Sequence, residues 1–138
     1  GLKNLVDKAV IAYGKTNKVD ISGYTKVDEI PFDYMRKRMS IIVKDQKERT
    51  MITKGALEEI LKISTKAIVN GKEVPITQDM IGNINKKAEE LSREGMQVIS
   101  LAIKKHYNPD ERLTAKQALN STFMKDLRSQ DKKINQII

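Results

Sequence analysis

The chain contains no cysteine, which excludes disulfide cross-links and thiolate chemistry and fits a reducing compartment. It has no tryptophan and a single histidine, His106, so a histidine-based metal site or a Ser-His-Asp arrangement lacks its parts. No apolar run approaches the ~20 residues needed to cross a bilayer. Asp7 and Lys8 interrupt the short apolar run near the N-terminus, so no signal-peptide pattern is present there. There are two phenylalanines and four tyrosines, and they are not interleaved with cations along one strand, which argues against a nucleic-acid stacking surface. Neither a Walker-type phosphate loop nor a dinucleotide-binding glycine fingerprint occurs, and there is no internal repeat or low-complexity tract.

What remains is a chain of 138 residues, 39% apolar and 32% charged, which suits one soluble domain with a real core. Its formal charge of +8 favours anionic partners: nucleotides, nucleic acids or acidic membranes. The cations are dispersed among acids, and the sharpest cluster is Arg36, Lys37 and Arg38.

The apolar spacing of Leu2, Leu5, Val6, Ala9, Val10 and Tyr13 predicts an amphipathic helix over Leu2–Tyr13, with Gly14 as its stop. A polar loop follows, then a strand over Tyr24–Ile30. Pro31 marks a strand end or an edge. Arg38–Lys44 reads as a buried strand and Thr50–Thr53 as its antiparallel partner. Gly55 opens a helix to about Ser64, with Glu58 and Glu59 in its first turn. Asn70-Gly71 between Val69 and Val74 is a two-residue hairpin signal. Thr77 is an N-cap for a helix whose stripe is Ile81, Ile84, Ala88 and Leu91 and whose end is near Gly95. Met96–Ile103 is another apolar strand. The expected class is α+β, a largely antiparallel sheet flanked by helices.

After Lys105 the character changes. Tyr107–Arg112 reads as a turn, Thr114–Gln117 as a capping box, Ala115–Leu127 as a helix, and Ser129–Ile138 as a loose end. The expected organisation is therefore a domain over 1–105 and a helical tail over 106–138.

Two segments carry candidate chemistry, IPFDYMRKRMSIIV (Ile30–Val43) and TKGALE (Thr53–Glu58). Phe32, stiffened by Pro31, fits either a stacking platform for a base or a core residue. Lys37 and Lys54 fit either phosphate or base contacts or ordinary surface lysines. A Lys54-Gly55 pair at a helix start would attract an anion better than either residue alone. Asp28, Glu29 and Asp33 fit a solvated strand end better than a Mg²⁺ site, because no second carboxylate pair supports them. His106 reads as a turn residue, and the six methionines are scattered as packing residues rather than grouped as ligands.

Phe32, then Lys37, then Met39-Ser40-Ile41, then Lys54-Gly55-Ala56 form a series that resembles the nucleotide-binding domain of P-type ATPases. VDEIPFDYMRKRMSIIV, KGALEEIL, NGKEVPI and the opening GLKNLVDKAV are similar to the magnesium-transporting branch. The resemblance covers Gly1 to about Lys105. It implies that ATP, as Mg-ATP, is the ligand. Phe32 would stack on adenine. Lys54 would line the adenine pocket, with Gly55 and Ala56 as its close wall. Lys37 would help place phosphates, and Met39 would belong to the same pocket. A strand from Gln97 through Ile99 to Ile103 would supply a further wall.

Gln97 stands where many family members carry an Arg that reaches the phosphates, so weak ATP binding is expected. The family's phosphorylated Asp, followed by Lys-Thr-Gly-Thr, is absent from this chain, as are its hinge motifs and membrane helices. The resemblance therefore implies an isolated cytoplasmic domain of a larger pump. It would bind ATP without turning it over, and its partners would be the pump's phosphorylation and actuator domains. Its place would be at the cytoplasmic face of the membrane, reached only through the rest of the pump.

Asn108–Met124 instead looks like the late helix of protein-kinase catalytic domains. No kinase glycine loop, HRD or DFG accompanies it, so kinase activity is not expected. The alternatives are a basic non-enzymatic module that binds nucleic acid, motivated by the +8 charge, and a piece that docks on a kinase, motivated by the tail.

Overall fold

The computed structural model describes residues 5–108 and 136–137. Their order is α1 (Leu5–Thr16), β1 (Thr25–Asp33), β2 (Arg38–Lys44), β3 (Arg49–Gly55), α2 (Leu57–Ile63), β4 (Lys66–Val69), β5 (Lys72–Pro75), α3 (Gln78–Arg93), β6 (Ser100–Lys105) and β7 (Gln136–Ile137). The strands form one sheet in the order β1-β2-β3-β6-β7-β4-β5. Every pairing is antiparallel except β4 with β7. The expected α+β class, a largely antiparallel sheet with helices beside it, is what the chain adopts.

The inner strands alternate as a sheet with one well-covered face must. Arg38, Ser40 and Ile42 are buried on β2, Met51 and Thr53 on β3, and Ser100 and Ala102 on β6. The register puts them side by side: Arg38 opposite Gly55, Ser40 opposite Thr53, Ile42 opposite Met51, and Ala102 opposite Thr53. α2 seals this face with Ile60 and Ile63, and Tyr107 joins the cluster as the chain leaves β6, where its N–H donates to the Arg49 carbonyl. Met39, Ile41, Ile52, Lys54 and Leu101 alternate onto the other, half-covered face.

Within this core the Ser40 and Thr53 hydroxyls share a hydrogen bond of 2.7 Å, and Thr53 is fully buried. Replacing Thr53 with Val should remove Ser40's partner and cost about 1–3 kcal/mol in urea unfolding. Adding Ser40→Ala should return part of that loss, because neither hydroxyl is then left alone. Equal losses in the single and double variants would show that the pair is not what holds the strands here.

Several element ends differ from the sequence expectations, for local reasons. α1 passes through Gly14 and ends at Thr16. Its terminus is a Schellman closure in which Val19 N–H donates to the Gly14 carbonyl and Lys18 N–H to the Lys15 carbonyl. Lys18, at φ 51°, takes the left-handed position that a glycine usually fills. The sheltered side of α1 is Val6, Asp7, Ile11 and Gly14, while Leu5, Ala9, Val10 and Tyr13 face solvent. An ion pair from Asp7 to the sheet orients the helix, and apolar spacing alone does not reveal it.

β1 runs past Pro31 to Asp33. It is an edge strand, as Pro31 suggests, but Pro31 does not end it. β3 extends to Gly55, so α2 begins two residues later than expected, at Leu57, with Ala56 as its N-cap. β6 begins at Ser100, so Met96–Ile99 is coil. α3 starts at the expected Thr77 cap, whose Oγ1 accepts from Met80 N–H, and closes at Gly95, where Met96 N–H donates to the Leu91 carbonyl. Its stripe of Ile81, Ile84, Ala88 and Leu91 is half-buried. Asn70-Gly71 makes the expected hairpin, both residues at positive φ.

Gln136–Ile137, read from sequence as part of a loose end, lies in the sheet between β6 and β4. The capping box at Thr114–Gln117 and the helix over Ala115–Leu127 lie outside the described residues. Among the described residues no helix is long and apolar enough to cross a membrane, and no cluster of His, Asp and Glu could hold a metal ion.

Candidate functional site

The site begins at a bulge. β1 pairs Ile30 with Ser40 and then Asp33 with Arg38, so Pro31 and Phe32 together oppose the single residue Met39. An extra residue of this kind locally breaks the ladder and re-aims side chains. Phe32 accordingly remains 51% exposed instead of entering the core. Met39 is in register with Lys54 on β3, and Lys54 with Leu101 on β6. Phe32, Met39 and Lys54 thus occupy one row across three strands. At ~4.8 Å per strand, the backbones carrying Phe32 and Lys54 stand about 10 Å apart.

Lys54 is half-buried, and its ammonium is ion-paired with Asp7 of α1, whose side chain is only 13% exposed. Asp7 is the site residue that the sequence reading missed. It falls on the side of an amphipathic helix that the apolar spacing does not mark, 47 residues from its partner, and no local spacing links the two.

Lys37 ends the β1–β2 turn at φ 50°, exposed at its side chain but anchored through its backbone. Its N–H donates to the Asp33 carbonyl at 2.6 Å, and its own carbonyl accepts from Ala56 N–H at 3.3 Å. Gly55 makes that approach possible. A Cβ there would lie 2.7 Å from both the Lys37 carbonyl oxygen and the Arg38 Cβ. Lys37, Gly55 and Ala56 therefore form one corner, beside the row that holds Lys54.

This corrects the expected anion site at a helix start. Gly55 is the last residue of a strand, and α2 is a seven-residue helix that opens beyond it. Gln97 and Ile99 do not form a strand wall; both lie in the coil after α3, Gln97 exposed and Ile99 half-buried. Ile99 directly precedes Ser100, the register partner of Gly55, while Gln97 stands two residues further back.

The turn that carries Lys37 is built on Asp33. Its Oδ1 accepts from the amides of Met35 (2.8 Å) and Arg36 (3.3 Å), and its Oδ2 from Arg36 Nε (2.9 Å). Partial burial pushes the Asp33 carboxyl up, but the Arg36 guanidinium and the two amides outweigh it and hold the group below its ordinary value. Asp28 and Glu29 serve local structure too: Asp28 accepts from the Glu29 amide, and Glu29 pairs with Lys26. Elsewhere, Lys62, Lys66, Lys87 and Arg93 each have a carboxylate neighbour. An open hollow beside Asn85, Ala88, Glu89, Ser92 and Arg93 lies along α3, on a different element from the Phe32–Lys54 row.

Over residues 2–136 the chain matches the model of the P-type ATPase cytoplasmic domain N. It belongs to that family. It is 40% identical over 107 residues to the magnesium-transporting ATPase, P-type 1, of Salmonella typhimurium strain 14028s, and 38% identical over 107 residues to that of Escherichia coli K12. A calcium-transporting ATPase of Listeria monocytogenes is 27% identical over 101 residues. The first two matches cover 75% of this chain and the third 70%, but each covers only 12% of the relative's length. The chain thus corresponds to the N domain of a P-type cation ATPase and spans about an eighth of such a pump. The P-type N-domain resemblance read from Phe32, Lys37 and Lys54-Gly55-Ala56 is therefore correct.

Proposed function

We propose that this N domain binds ATP, as Mg-ATP, for a magnesium-transporting pump and presents the nucleotide to a separate phosphorylation domain. The observation that carries the reading is the cross-strand row: an exposed aromatic raised by a bulge, a methionine beside it, and a half-buried cation beyond. A purine is a flat apolar face with a polar rim, and this row offers a partner for each part. Phe32 supplies the face by stacking, and Met39 a polarizable floor.

Lys54 supplies donors to the ring nitrogens. The Asp7 carboxylate, held beside Lys54, supplies the acceptor that the exocyclic amino group of adenine needs. Lys37, exposed at the neighbouring corner, has the reach and charge to meet phosphate oxygens. Gly55 and Ala56 hold that corner, Ile99 adjoins Ser100, the register partner of Gly55, and Gln97 stands two residues further back in the same coil.

On this reading the domain does no bond chemistry of its own. It fixes the base and leaves the triphosphate to be met by a carboxylate nucleophile on another domain, a division that makes positioning its whole contribution. The many paired cations favour this reading over a nucleic-acid surface, which needs an unneutralised stripe.

Titrating Mg-ATP into the ¹⁵N-labelled domain should move the amide resonances of Phe32, Lys54 and Gly55 together. Tripolyphosphate, which has no base, should leave Phe32 in place. A spectrum unmoved by several millimolar ATP would remove the proposal.

A further inference from the structure

Phe32 has an aromatic neighbour. The ring of Tyr34 meets it edge-to-face, with centroids 5.2 Å apart and planes at 89°. Tyr34 itself is 87% exposed, so burial does not explain its place. Phe32 lies where the β1–β2 register jumps, and the ladder there does not hold it one-to-one. An exposed phenyl on a bulge would otherwise sample several rotamers, and a base that stacks on it would have to order it first.

We infer that Tyr34 is a positioning residue that fixes the plane of the Phe32 ring for the incoming base. The inference rests on the proposed adenine site and adds to it the device that presets its stacking surface. Tyr34 can act in this way because its own backbone is set. It lies in the turn closed by the Asp33 carboxylate on the amides of Met35 and Arg36, and by the Lys37 N–H on the Asp33 carbonyl. One acidic side chain thereby anchors the turn that carries both the ring support and Lys37. Edge-to-face geometry is the arrangement that the ring quadrupoles favour, so the contact orients as well as packs. Nothing in it requires the phenolic hydroxyl; the aromatic ring suffices.

The chain has only two phenylalanines, so selective Phe labelling yields two ring systems and makes the contact directly visible. In the nucleotide-free protein, Tyr34→Leu should move the Phe32 ring-proton shifts toward those of a solvated phenylalanine, whereas Tyr34→Phe should keep them. Mg-ATP affinity should fall roughly two- to tenfold in Tyr34→Leu and stay near the parent's in Tyr34→Phe. The urea midpoint should change little in either variant, because so exposed a ring contributes little to folding. Parent-like ring shifts and affinity in Tyr34→Leu, or equal losses in Tyr34→Phe, would overturn the inference while leaving the ATP site standing. A parent protein that binds no ATP would overturn the site and the inference together.

Discussion

Phe32→Ala is expected to weaken Mg-ATP binding by about five- to 150-fold, the range that follows from ~1–3 kcal/mol of base-aromatic stacking. The same change should cost the fold less than about 1.5 kcal/mol. The ring is half exposed, and its aromatic contact among the described residues is with the still more exposed Tyr34. The separation of these two effects is the informative part. A core phenylalanine would lose ~3–5 kcal/mol of stability on truncation, and any binding defect would follow from unfolding. Isothermal titration with ATP, beside urea unfolding of the same sample, measures both. An unchanged dissociation constant in a folded variant would show that the base lies elsewhere, and the row from Phe32 to Lys54 would lose its meaning as a pocket.

Much of this arrangement was legible in the sequence because it is local. The β-branched run from Arg38 to Lys44, the Asn70-Gly71 turn and the Thr77 cap are each specified within a few residues, and each appears where it was expected. The bulge was half legible: Pro31 announced an interruption, but whether the strand stops or absorbs the extra residue depends on Asp33 pairing with Arg38 beyond it. The true start of α2 was hidden for a similar reason. Gly55 looks like a helix opener until the strand pairings with Arg38 and Ser100 claim it for the sheet.

Least legible were the long-range choices. Asp7 lies off the apolar stripe of α1, and only its pairing with Lys54 shows that this polar side of the helix faces the sheet. Gln136–Ile137 enter the sheet between two strands that are remote from them in sequence, which no local pattern encodes. The roles proposed for Phe32, Lys37 and Lys54 come from motif resemblance. What the fold adds is a physical reason for their spacing, since a bulge and one register step place the first and last on one row.

Gly55→Ala tests the corner on which that row depends. The glycine is required here for space, because its φ is not among the positive values of the chain. A methyl would sit 2.7 Å from the Lys37 carbonyl oxygen and 3.1 Å from the Arg38 Cα, both backbone atoms that cannot rotate away as a side-chain tip can. Relief means pushing the β1–β2 turn off β3. That loosens the hydrogen bond from Ala56 N–H to the Lys37 carbonyl and the Arg38–Gly55 pairing. The expected cost is about 1–3 kcal/mol, a fall in Tm of roughly 4 °C or more per kcal/mol.

Gly14→Ala supplies the contrast. Its Cβ would meet nothing within 4 Å, and it lies inside α1, so the same methyl should be neutral or stabilise by about 0.5–1 kcal/mol. ATP binding should weaken in Gly55→Ala even below its melting range, because Lys37 moves with the turn that carries it. If Gly55→Ala melts with the parent and keeps its affinity, the close approach of Gly55 to the β1–β2 turn does not hold Lys37 in place.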